Sequence, residues 1–309
     1  MAEPARWIVG DPVDVRTPEG ARQVSEHALL EAPGSPAVVI AAPGLRDPAA
    51  VAASAVERGA RTLFLMPVGL TLEALDGLRA RFGNLGTRLG AVDPLGAHPV
   101  AALMRRSLDR WDVGQLQHVR LASHGPGDGC AQGREALWAH PCLDGAALLA
   151  GWFGEVLAAR ALARRTGAGG AALVEALRFR RPGCVGVREI TVTFSAATAS
   201  AASGWRHALE VTGTDGVALA ELGTWRPPNA APLRLRVGAE LRIPELTGEA
   251  AGYGPRELYD LGLRRGIAAA LAGLARGEGE LQLRAAAAEN HRRSELAAML
   301  ATPREHSSC

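Results

Sequence analysis

The acid–base chemistry open to this chain is limited by the complete absence of lysine, because every one of its 34 Lys+Arg residues is an arginine. An arginine guanidinium stays protonated at any working pH and cannot shuttle a proton. Imine chemistry through a lysine amine and phosphate binding by a P-loop lysine are excluded for the same reason. A genomic drift from lysine to arginine codons would explain the bias, but it does not restore the missing amine.

Glu155 is the residue that we expect to carry proton transfer. It lies in an alanine-rich, otherwise apolar segment, Ala146 to Arg165, that is predicted to be a helix. A carboxylate that faces a low-dielectric pocket has a raised pKa and can act as an acid or a base. The alternative is that Glu155 points to solvent or pairs with Arg160.

A glycine-rich loop, Gly125 to Gly129, is a candidate for binding phosphate through its backbone N–H groups, since it follows a predicted strand. Because it contains Pro126, we favour an ordinary surface loop. His124 beside this loop is a weaker candidate for chemistry, and Tyr253 lies in a Gly-Tyr-Gly sequence that is equally a plain turn. Asp93 has no distinguishing context.

The first third of the chain alternates strands with helices, which is typical of βαβ units and a parallel sheet. Continuous apolar runs that end at proline or glycine predict strands buried on both faces. The predicted strands are Trp7–Val9, Ala37–Ala42 and Thr62–Met66, and the predicted helices are Ala21–Leu30, Asp47–Arg58 and Thr71–Phe82.

From Leu177 to Pro244, a run of strands without intervening helices predicts a largely antiparallel sheet. The predicted strands are Gln117–Leu121, Glu189–Phe194, His207–Thr212, Val217–Leu222, Leu233–Val237 and Glu240–Ile243, and the predicted helices are Val100–Arg110, Pro255–Leu274 and Leu281–Leu300. We therefore expect a parallel α/β domain over residues 1–99 and an α+β domain with a large antiparallel sheet over residues 100–309.

The composition favours a soluble cytoplasmic protein. The net charge is only +2 and the charges are well mixed, so a nucleic-acid surface is not expected. The sequence shows no signal peptide and no run of about 18 apolar residues of the kind that crosses a membrane. The four cysteines are scattered and lack CxxC spacing, which indicates reduced thiols rather than a disulfide framework or a zinc site.

Several segments resemble those of the Gfo/Idh/MocA family of NAD(P)-dependent oxidoreductases, in the right order and spacing from about Asp11 to Leu300. Val38–Pro43 is similar to the family's strand that ends in a proline beside the nicotinamide ribose, and Pro67–Ala74 to the stretch after its Glu-Lys-Pro motif. The remaining similar segments are Ala97–Val100 (its Phe-His-Pro segment), Gly145–Leu149 (the entry to its catalytic helix) and Leu209–Gly216 (a turn in its C-terminal sheet).

The chain departs from the family's pattern at the catalytic positions. Leu65-Met66-Pro67 stands in place of Glu-Lys-Pro, and the histidine of the family's catalytic helix falls on Glu155. Only residues 1–9 precede the Asp11-Pro12 that resembles the end of the family's second strand. The first strand, the G-x-G-x-x-G turn and the first helix, which hold the pyrophosphate, are therefore expected to be missing.

The resemblance implies a truncated Rossmann-like domain followed by an open-sheet domain, with His98 and His140 near the mouth of the cleft between them. We expect Glu155, His98 and His140 to form the catalytic set, although a lone histidine is often an ordinary hydrogen-bonded residue. Without its pyrophosphate-binding elements, the chain is expected to use no cofactor and no metal.

The function that follows from this interpretation is cofactor-independent acid–base chemistry, such as a cyclisation, isomerisation or elimination of a small metabolite. One alternative is a non-catalytic partner subunit of an intact paralogue. The other is an NAD(P)H-dependent reductase with atypical cofactor binding, because hydride transfer needs orientation more than it needs an ionisable lysine. The family resemblance also implies a homodimer that forms through the antiparallel sheet.

Overall fold

The computed structural model of the chain contains two sheets with helices packed against them. It describes residues 6–9, 21–24, 38–41, 48–65, 72–126, 148, 152, 155–167, 170–180, 189–199 and 206–278. The first sheet has five strands, which are β1 (Arg6–Val9), β2 (Ala21–Val24), β3 (Val38–Ala41), β4 (Arg61–Leu65) and β5 (Leu89–Val92).

All pairings in the five-stranded sheet are parallel, in the order β2-β1-β3-β4-β5. Parallel neighbours need crossover connections. Helix α1 (Pro48–Glu57) lies in the connection from β3 to β4, and helix α2 (Leu72–Phe82) in that from β4 to β5. The predicted parallel α/β layer is confirmed.

Strand β1 lies inside this sheet, between β2 and β3, which corrects the expectation that the first strand is missing. The chain runs from β1 to β2 on one side and then to β3, β4 and β5 on the other. Residues 6–9 therefore take the place of the first strand of a nucleotide-binding sheet, and not that of the second. Residues 10–20 join β1 to β2, a length close to the minimum of about 10–12 residues for a parallel crossover.

Two short strands of this sheet differ from the sequence predictions. Ala21–Val24 is β2 rather than the start of the helix predicted for Ala21–Leu30, because all four of its residues pair with β1. Backbone pairing overrides the weak helix propensity of such a short segment. Leu89–Val92, which forms β5, is too short and too glycine-containing to be predicted from its apolar pattern.

The second sheet has eight strands in the order β13-β12-β11-β10-β6-β9-β8-β7. Its pairings are antiparallel except for the parallel pair of β6 and β9, so the predicted largely antiparallel sheet is confirmed. The strands are β6 (Leu116–Pro126), β7 (Glu155–Gly167), β8 (Gly170–Arg180), β9 (Glu189–Ala199), β10 (Arg206–Gly213), β11 (Gly216–Gly223), β12 (Leu233–Val237) and β13 (Glu240–Arg242).

One face of this second sheet, called here the inner face, carries the core. Alternate residues of β10 are buried there, beginning with His207 and continuing with Leu209 and Val211. Helix α3 (Pro99–Asp109) covers the inner face with an apolar stripe that includes Val100 and Met104. The alternation of buried and half-buried residues is that of a sheet with one face in the core.

The helix predicted from Ala146 to Arg165 is wrong over its second half. Residues 148 and 152 are helical, but residues 155–167 form β7, which pairs with β8 in an antiparallel hairpin that closes at Gly167 and Gly170. Alanine, leucine and arginine are strong helix formers, but tertiary context overrides helix propensity, and here pairing along a whole neighbouring strand outweighs it.

The long helix α4 (Pro255–Ala275) packs against both β5 and β11 and so connects the two sheets. A Cβ atom on Gly262 would lie 2.6 Å from the carbonyl oxygen of Pro94 and 3.1 Å from the Cα atom of His98. One turn later, a Cβ atom on Gly266 would lie 3.0 Å from the carbonyl oxygen of Asp93. These two glycines let α4 contact the backbone of residues 93–98. The second predicted C-terminal helix, Leu281–Leu300, lies outside the described residues.

Candidate functional site

The carboxyl ends of the parallel strands define one side of the site. In an open α/β sheet, ligands bind outside these ends at the point where the strand order reverses. Here the order reverses between β1 and β3, whose last residues, Val9 and Ala41, are paired in register. Gly10 follows β1 directly, but no G-x-G-x-x-G pattern follows it.

The segment that leaves this edge after β5 is fixed by its own hydrogen bonds. Asp93 follows β5 directly, and its carboxylate accepts a hydrogen bond of 2.8 Å from the backbone N–H of Gly96. Burial raises the pKa of the Asp93 carboxyl above its usual range, while the N–H groups of Gly96 and Leu95 act in the opposite direction. The segment ends at His98, where α3 begins.

His98 is the N-cap of α3 and is only 1% exposed. Its Nδ1 atom accepts a hydrogen bond of 3.2 Å from the backbone N–H of Val100. Because Nδ1 accepts, the proton of the neutral ring is on Nε2. That Nε2 atom is buried and has no hydrogen-bond partner in the described structure. Pro99 at the first helical position needs no cap, because it has no N–H.

His207 is fully buried at the start of β10, opposite Ser123 of β6 on the inner face. Its Nδ1 atom is 2.8 Å from the hydroxyl oxygen of Ser123, and either atom donates according to the tautomer of the ring. The Nε2 atom of His207 is likewise buried without a partner among the described residues.

Burial, more than neighbouring charge, lowers the pKa of these two imidazoles. Burial, followed by the charges of His207, Arg226 and Arg265, lowers the pKa of His98 to about 3. Burial, followed by the charge of His124, lowers the pKa of His207 to about 3. Both rings are therefore neutral at physiological pH. Arg226 lies in the segment after β11, and its Nη1 atom is buried without a partner in the described part of the chain.

His207 and Ser123 are hydrogen-bonded at one end of the inner face, and the charges of His207 and Arg226 act on His98 at the end of the segment that leaves the parallel sheet. A neutral imidazole N–H and a guanidinium can bind an electron-rich oxygen and stabilise negative charge that develops on it. We call His98, His207, Ser123 and Arg226 the donor cluster.

The opposite face of the second sheet carries a separate ion pair. Arg206 donates two hydrogen bonds of 2.7 Å to Glu221, one from Nε and one from Nη2. These bonds raise the pKa of Arg206. The Glu221 side chain is 2% exposed and that of Arg206 is 24% exposed, so the pair is largely removed from water. Nothing about this pair requires a ligand, because both groups satisfy each other.

Among the described residues there is neither a group of side chains that could hold a metal ion nor a helix that could cross a membrane. In the ranges that the structure describes, no three metal-ligating side chains come together. Over the same ranges, no helix has the length and apolar character needed to cross a membrane.

Several solved structures of known proteins share the fold of this chain, at sequence identities of only 12–15%. No family model and no curated protein matches the chain by sequence. An oxidoreductase from Agrobacterium radiobacter in complex with NAD+, L-tartaric acid and magnesium matches at a TM-score of 0.63 and 12% identity, covering 96% of this chain and 97% of that one. An inositol dehydrogenase homologue from Azotobacter vinelandii, with NADH and myo-inositol, matches at 0.63 and 15%, covering 95% and 94%. Levoglucosan dehydrogenase with NADH and L-sorbose matches at 0.60 and 14%, covering 95% and 98%.

The chain has the fold of the Gfo/Idh/MocA oxidoreductases. The resemblance found in the sequence is thereby confirmed as a likeness of fold over nearly the whole chain. Two predictions are corrected by the same comparison. The three structures named above are complexes with NAD+ or NADH, which contradicts both the expected absence of a cofactor and the expected cofactor-independent cyclase or isomerase.

The predicted catalytic residues of this Gfo/Idh/MocA-like chain are distributed unevenly in the structure. His98 is in the donor cluster. Glu155 is the first residue of β7, opposite Arg180 of β8, rather than on a helix; its side chain and the whole of His140 lie outside the described residues. Gly125 is in β6 and not in a loop, as is Pro126, while residues 127–129 lie outside the described part.

Sequence reasoning missed three members of the donor cluster, which are Ser123, His207 and Arg226. His207 begins the predicted strand His207–Thr212, and Ser123 lies two residues after the predicted strand Gln117–Leu121. Both continue the alternate inward positions that are otherwise apolar, and this alternation is a signal that could have identified them. Arg226 lies in a loop with prolines after it, and no pattern in the sequence distinguishes it from the other arginines.

Proposed function

We propose that this chain is an NAD(P)-dependent oxidoreductase that acts on a small hydroxylated or carbonyl compound. The observation that carries the proposal is the reversal of strand order between β1 and β3. In open α/β sheets, dinucleotides bind in the crevice that such a reversal of strand order forms. The segment Asp93 to His98 leaves the sheet at the same edge and leads to the donor cluster. The complexes of structures with this fold contain NAD+ or NADH, which supports the same function.

The missing glycine motif makes the mode of cofactor binding atypical. Gly10 follows β1 in the sequence and Gly44 follows β3, and a glycine at such a place can let the backbone approach a pyrophosphate. Neither glycine begins a G-x-G-x-x-G pattern, the motif that leads into a helix N-terminus at the pyrophosphate. We therefore expect weaker dinucleotide binding than a complete G-x-G-x-x-G turn supports.

We propose that His98 replaces, in part, the catalytic lysine that this chain lacks. A bound nicotinamide supplies or accepts the hydride. The Nε2–H of His98 donates a hydrogen bond to the reacting oxygen of the substrate and stabilises the negative charge that develops there. A neutral imidazole, whose pKa is lowered by burial, suits this role because it donates without giving up its proton. Glu155 and His140 are the candidates for the group that exchanges the proton.

The small-molecule substrate is proposed to be hydroxylated. Structures with the same fold hold L-sorbose, myo-inositol and L-tartaric acid, each of which carries hydroxyl groups. We also propose a homodimer that forms through the second sheet, because its outer face is not covered by α3. Size-exclusion chromatography with light scattering tests this association, and a monomer at micromolar concentration would contradict it.

Titration with NADH and NADPH tests the proposed function, with nicotinamide fluorescence and thermal stability as readouts. A ligand present at 100 times its dissociation constant stabilises a protein by about 2.7 kcal/mol, so binding is readily detected. Gly10→Glu places a carboxylate directly after β1, where it repels the phosphates, and should abolish both responses. Gly77→Glu, on the exposed side of α2, is the matched control and should leave them unchanged. Absence of any response from the unmodified protein would overturn the proposal.

A further inference from the structure

The second sheet ends at a short strand whose outer edge pairs with no other described strand. Strand β13 (Glu240–Arg242) pairs with β12 on one side and is the last strand in the sheet order. All three of its residues are exposed, and the apolar residues at this edge, Leu241 and Ile243, are 60% and 54% exposed. A free strand edge presents backbone N–H and C=O groups with which another strand can pair.

The hairpin that leads into β13 determines which backbone groups face outward. Val237 and Glu240 are paired across a two-residue turn, in which Gly238 has a φ of 57°. In a hairpin with such a turn, the two residues that flank the turn exchange both of their backbone hydrogen bonds. Hydrogen-bonded and non-hydrogen-bonded pairs alternate along an antiparallel ladder, so the next residue, Leu241, makes no backbone hydrogen bond to β12. The N–H and C=O groups of Leu241 therefore point towards the free edge.

The order of charges along β13 is complementary to its own reverse. If two copies pair antiparallel about Leu241, Glu240 of each copy lies opposite Arg242 of the other. Opposite charges directly across a strand pair stabilise it, and like charges destabilise it. Within one copy, Arg242 donates a hydrogen bond of 2.7 Å to Glu240, and both side chains are more than half exposed, so they are free to contact a second copy as well.

Charged residues on an edge strand usually prevent edge-to-edge pairing. In β13 the two charges have opposite signs on either side of an apolar residue, so one antiparallel register is favoured over the others. An unrelated strand would need the same order of acidic, apolar and basic residues to pair equally well. A second copy of this chain carries that order already, and it is therefore the occupant that this edge fits best.

We propose that two copies of this chain associate through β13, with a two-fold axis at Leu241 that joins their second sheets edge to edge. The inference concerns assembly and goes beyond the proposed function, and its contact is the edge of the sheet rather than the outer face. The N–H of each Leu241 donates to the C=O of the other, which gives two backbone hydrogen bonds across the axis. Leu241 and Ile243 point to the same side of the strand and add a small apolar contact. Because few residues pair, we expect association in the micromolar range.

The test is the mass of the full chain in sedimentation velocity, from about 1 to 200 µM, which brackets micromolar association. Glu240→Arg places arginine opposite arginine, and Arg242→Glu places glutamate opposite glutamate. Each variant alone should therefore have half the mass of the unmodified protein at the highest concentration, whether or not the outer face also associates. An equimolar mixture of the two variants should regain the full mass, because every arginine then lies opposite a glutamate. The recovery also shows that both variants are folded.

The matched controls are Arg276→Glu and Glu278→Arg. These residues form an exposed ion pair with the same 2.7 Å hydrogen bond and the same spacing of two residues, but outside the sheet. The controls change the net charge as the test variants do, and they should leave the mass unchanged.

An unmodified protein that stays monomeric up to the highest concentration would overturn the proposal. Single variants that keep the full mass would place the contact elsewhere, the outer face included. A mixture that stays at half the mass would overturn the antiparallel register about Leu241. NADH titration of the dissociated variants is an independent measurement, so a failure of this proposal is distinguishable from a failure of the proposed function.

Discussion

His98 and His207 are both buried in the donor cluster, each with Nδ1 hydrogen-bonded and with Nε2 lacking a partner among the described residues. One is the cap of a helix and the other begins a central strand, so the cluster joins α3 to the inner face of the second sheet. Two neutral imidazoles in one core have a direct consequence for stability in acid.

Stability should fall as the pH is lowered from about 7.5 to 5. The pKa of each histidine is about 3 in the folded protein and 6.5 in the unfolded chain. Between these values the unfolded state binds protons that the folded state does not, so the free energy of unfolding rises with pH. The stability that the two neutral histidines contribute is fully present above pH 6.5, and it is lost progressively as the pH falls towards 3. At pH 5 the loss is about 2 kcal/mol for each histidine. Urea unfolding at the two pH values measures it.

A variant comparison isolates the histidines from the other titrating groups. Asp93 acts in the opposite direction, because its raised pKa makes the folded state bind more protons in acid. His207→Gln should make the loss of stability between pH 7.5 and pH 5 smaller by about 2 kcal/mol, whatever the other groups contribute. An unchanged slope in this variant would mean that His207 is not buried as a neutral ring.

Gly262→Ala should destabilise the protein by about 1–3 kcal/mol, even though alanine favours helices more than glycine does. The added Cβ would lie 2.6 Å from the carbonyl oxygen of Pro94, so α4 must move away from the segment that ends at His98. Gly77→Ala is the control: it lies in α2 with open space around its Cβ position and should gain about 0.5–1 kcal/mol. Thermal and urea unfolding of both variants give the comparison, and a stabilised Gly262→Ala would show that the close packing is absent.

Arg206→Met should cost about 3–5 kcal/mol, because it leaves the buried carboxylate of Glu221 without its partner. Replacing both residues, as Arg206→Met with Glu221→Leu, removes the buried charge as well and should recover most of the loss. Urea unfolding of the two single variants and the double variant completes a double-mutant cycle. Additive effects would contradict a direct interaction between the two side chains.

The sequence was sufficient for the strands that have a distinct local pattern. Val38–Ala41 is a continuous apolar run and so is the second half of β4, Leu63–Leu65. The hairpin of β10 and β11 closes within Leu209–Gly216, the segment that resembles a turn in the family's C-terminal sheet. It failed where long-range pairing decides the structure. Residues 155–167 consist largely of helix formers and are a strand because they pair with β8.

The donor cluster could be predicted only in part for a related reason. His98 was identifiable because Ala97–Val100 resembles the family's Phe-His-Pro segment. Its neighbours His207 and Arg226 are far from it in sequence, and only the strand register and the loop after β11 bring them close. The strand order that identifies β1 as the inner strand of its sheet is likewise a property of the whole chain.

His98→Asn separates the structural role of His98 from its proposed role in catalysis. Asparagine is a favoured N-cap, so the carbonyl of its side chain can replace Nδ1 as the acceptor for Val100 and stability should change little. The shorter side chain has no donor at the position of Nε2. Loss of one such donor to a developing oxyanion lowers kcat by about 100-fold or more. The measurement is NADH oxidation with the carbonyl compound that is turned over fastest in a panel, beside urea unfolding.

The matched control for that experiment is His98→Ala, which removes both the cap and the donor. It should show the same loss of kcat together with a destabilisation of about 1 kcal/mol. The affinity for NADH should be unchanged in both variants, since His98 is proposed to contact the substrate and not the dinucleotide. A His98→Asn variant that keeps full kcat would mean that another group stabilises the reacting oxygen, and that His98 serves only to cap α3.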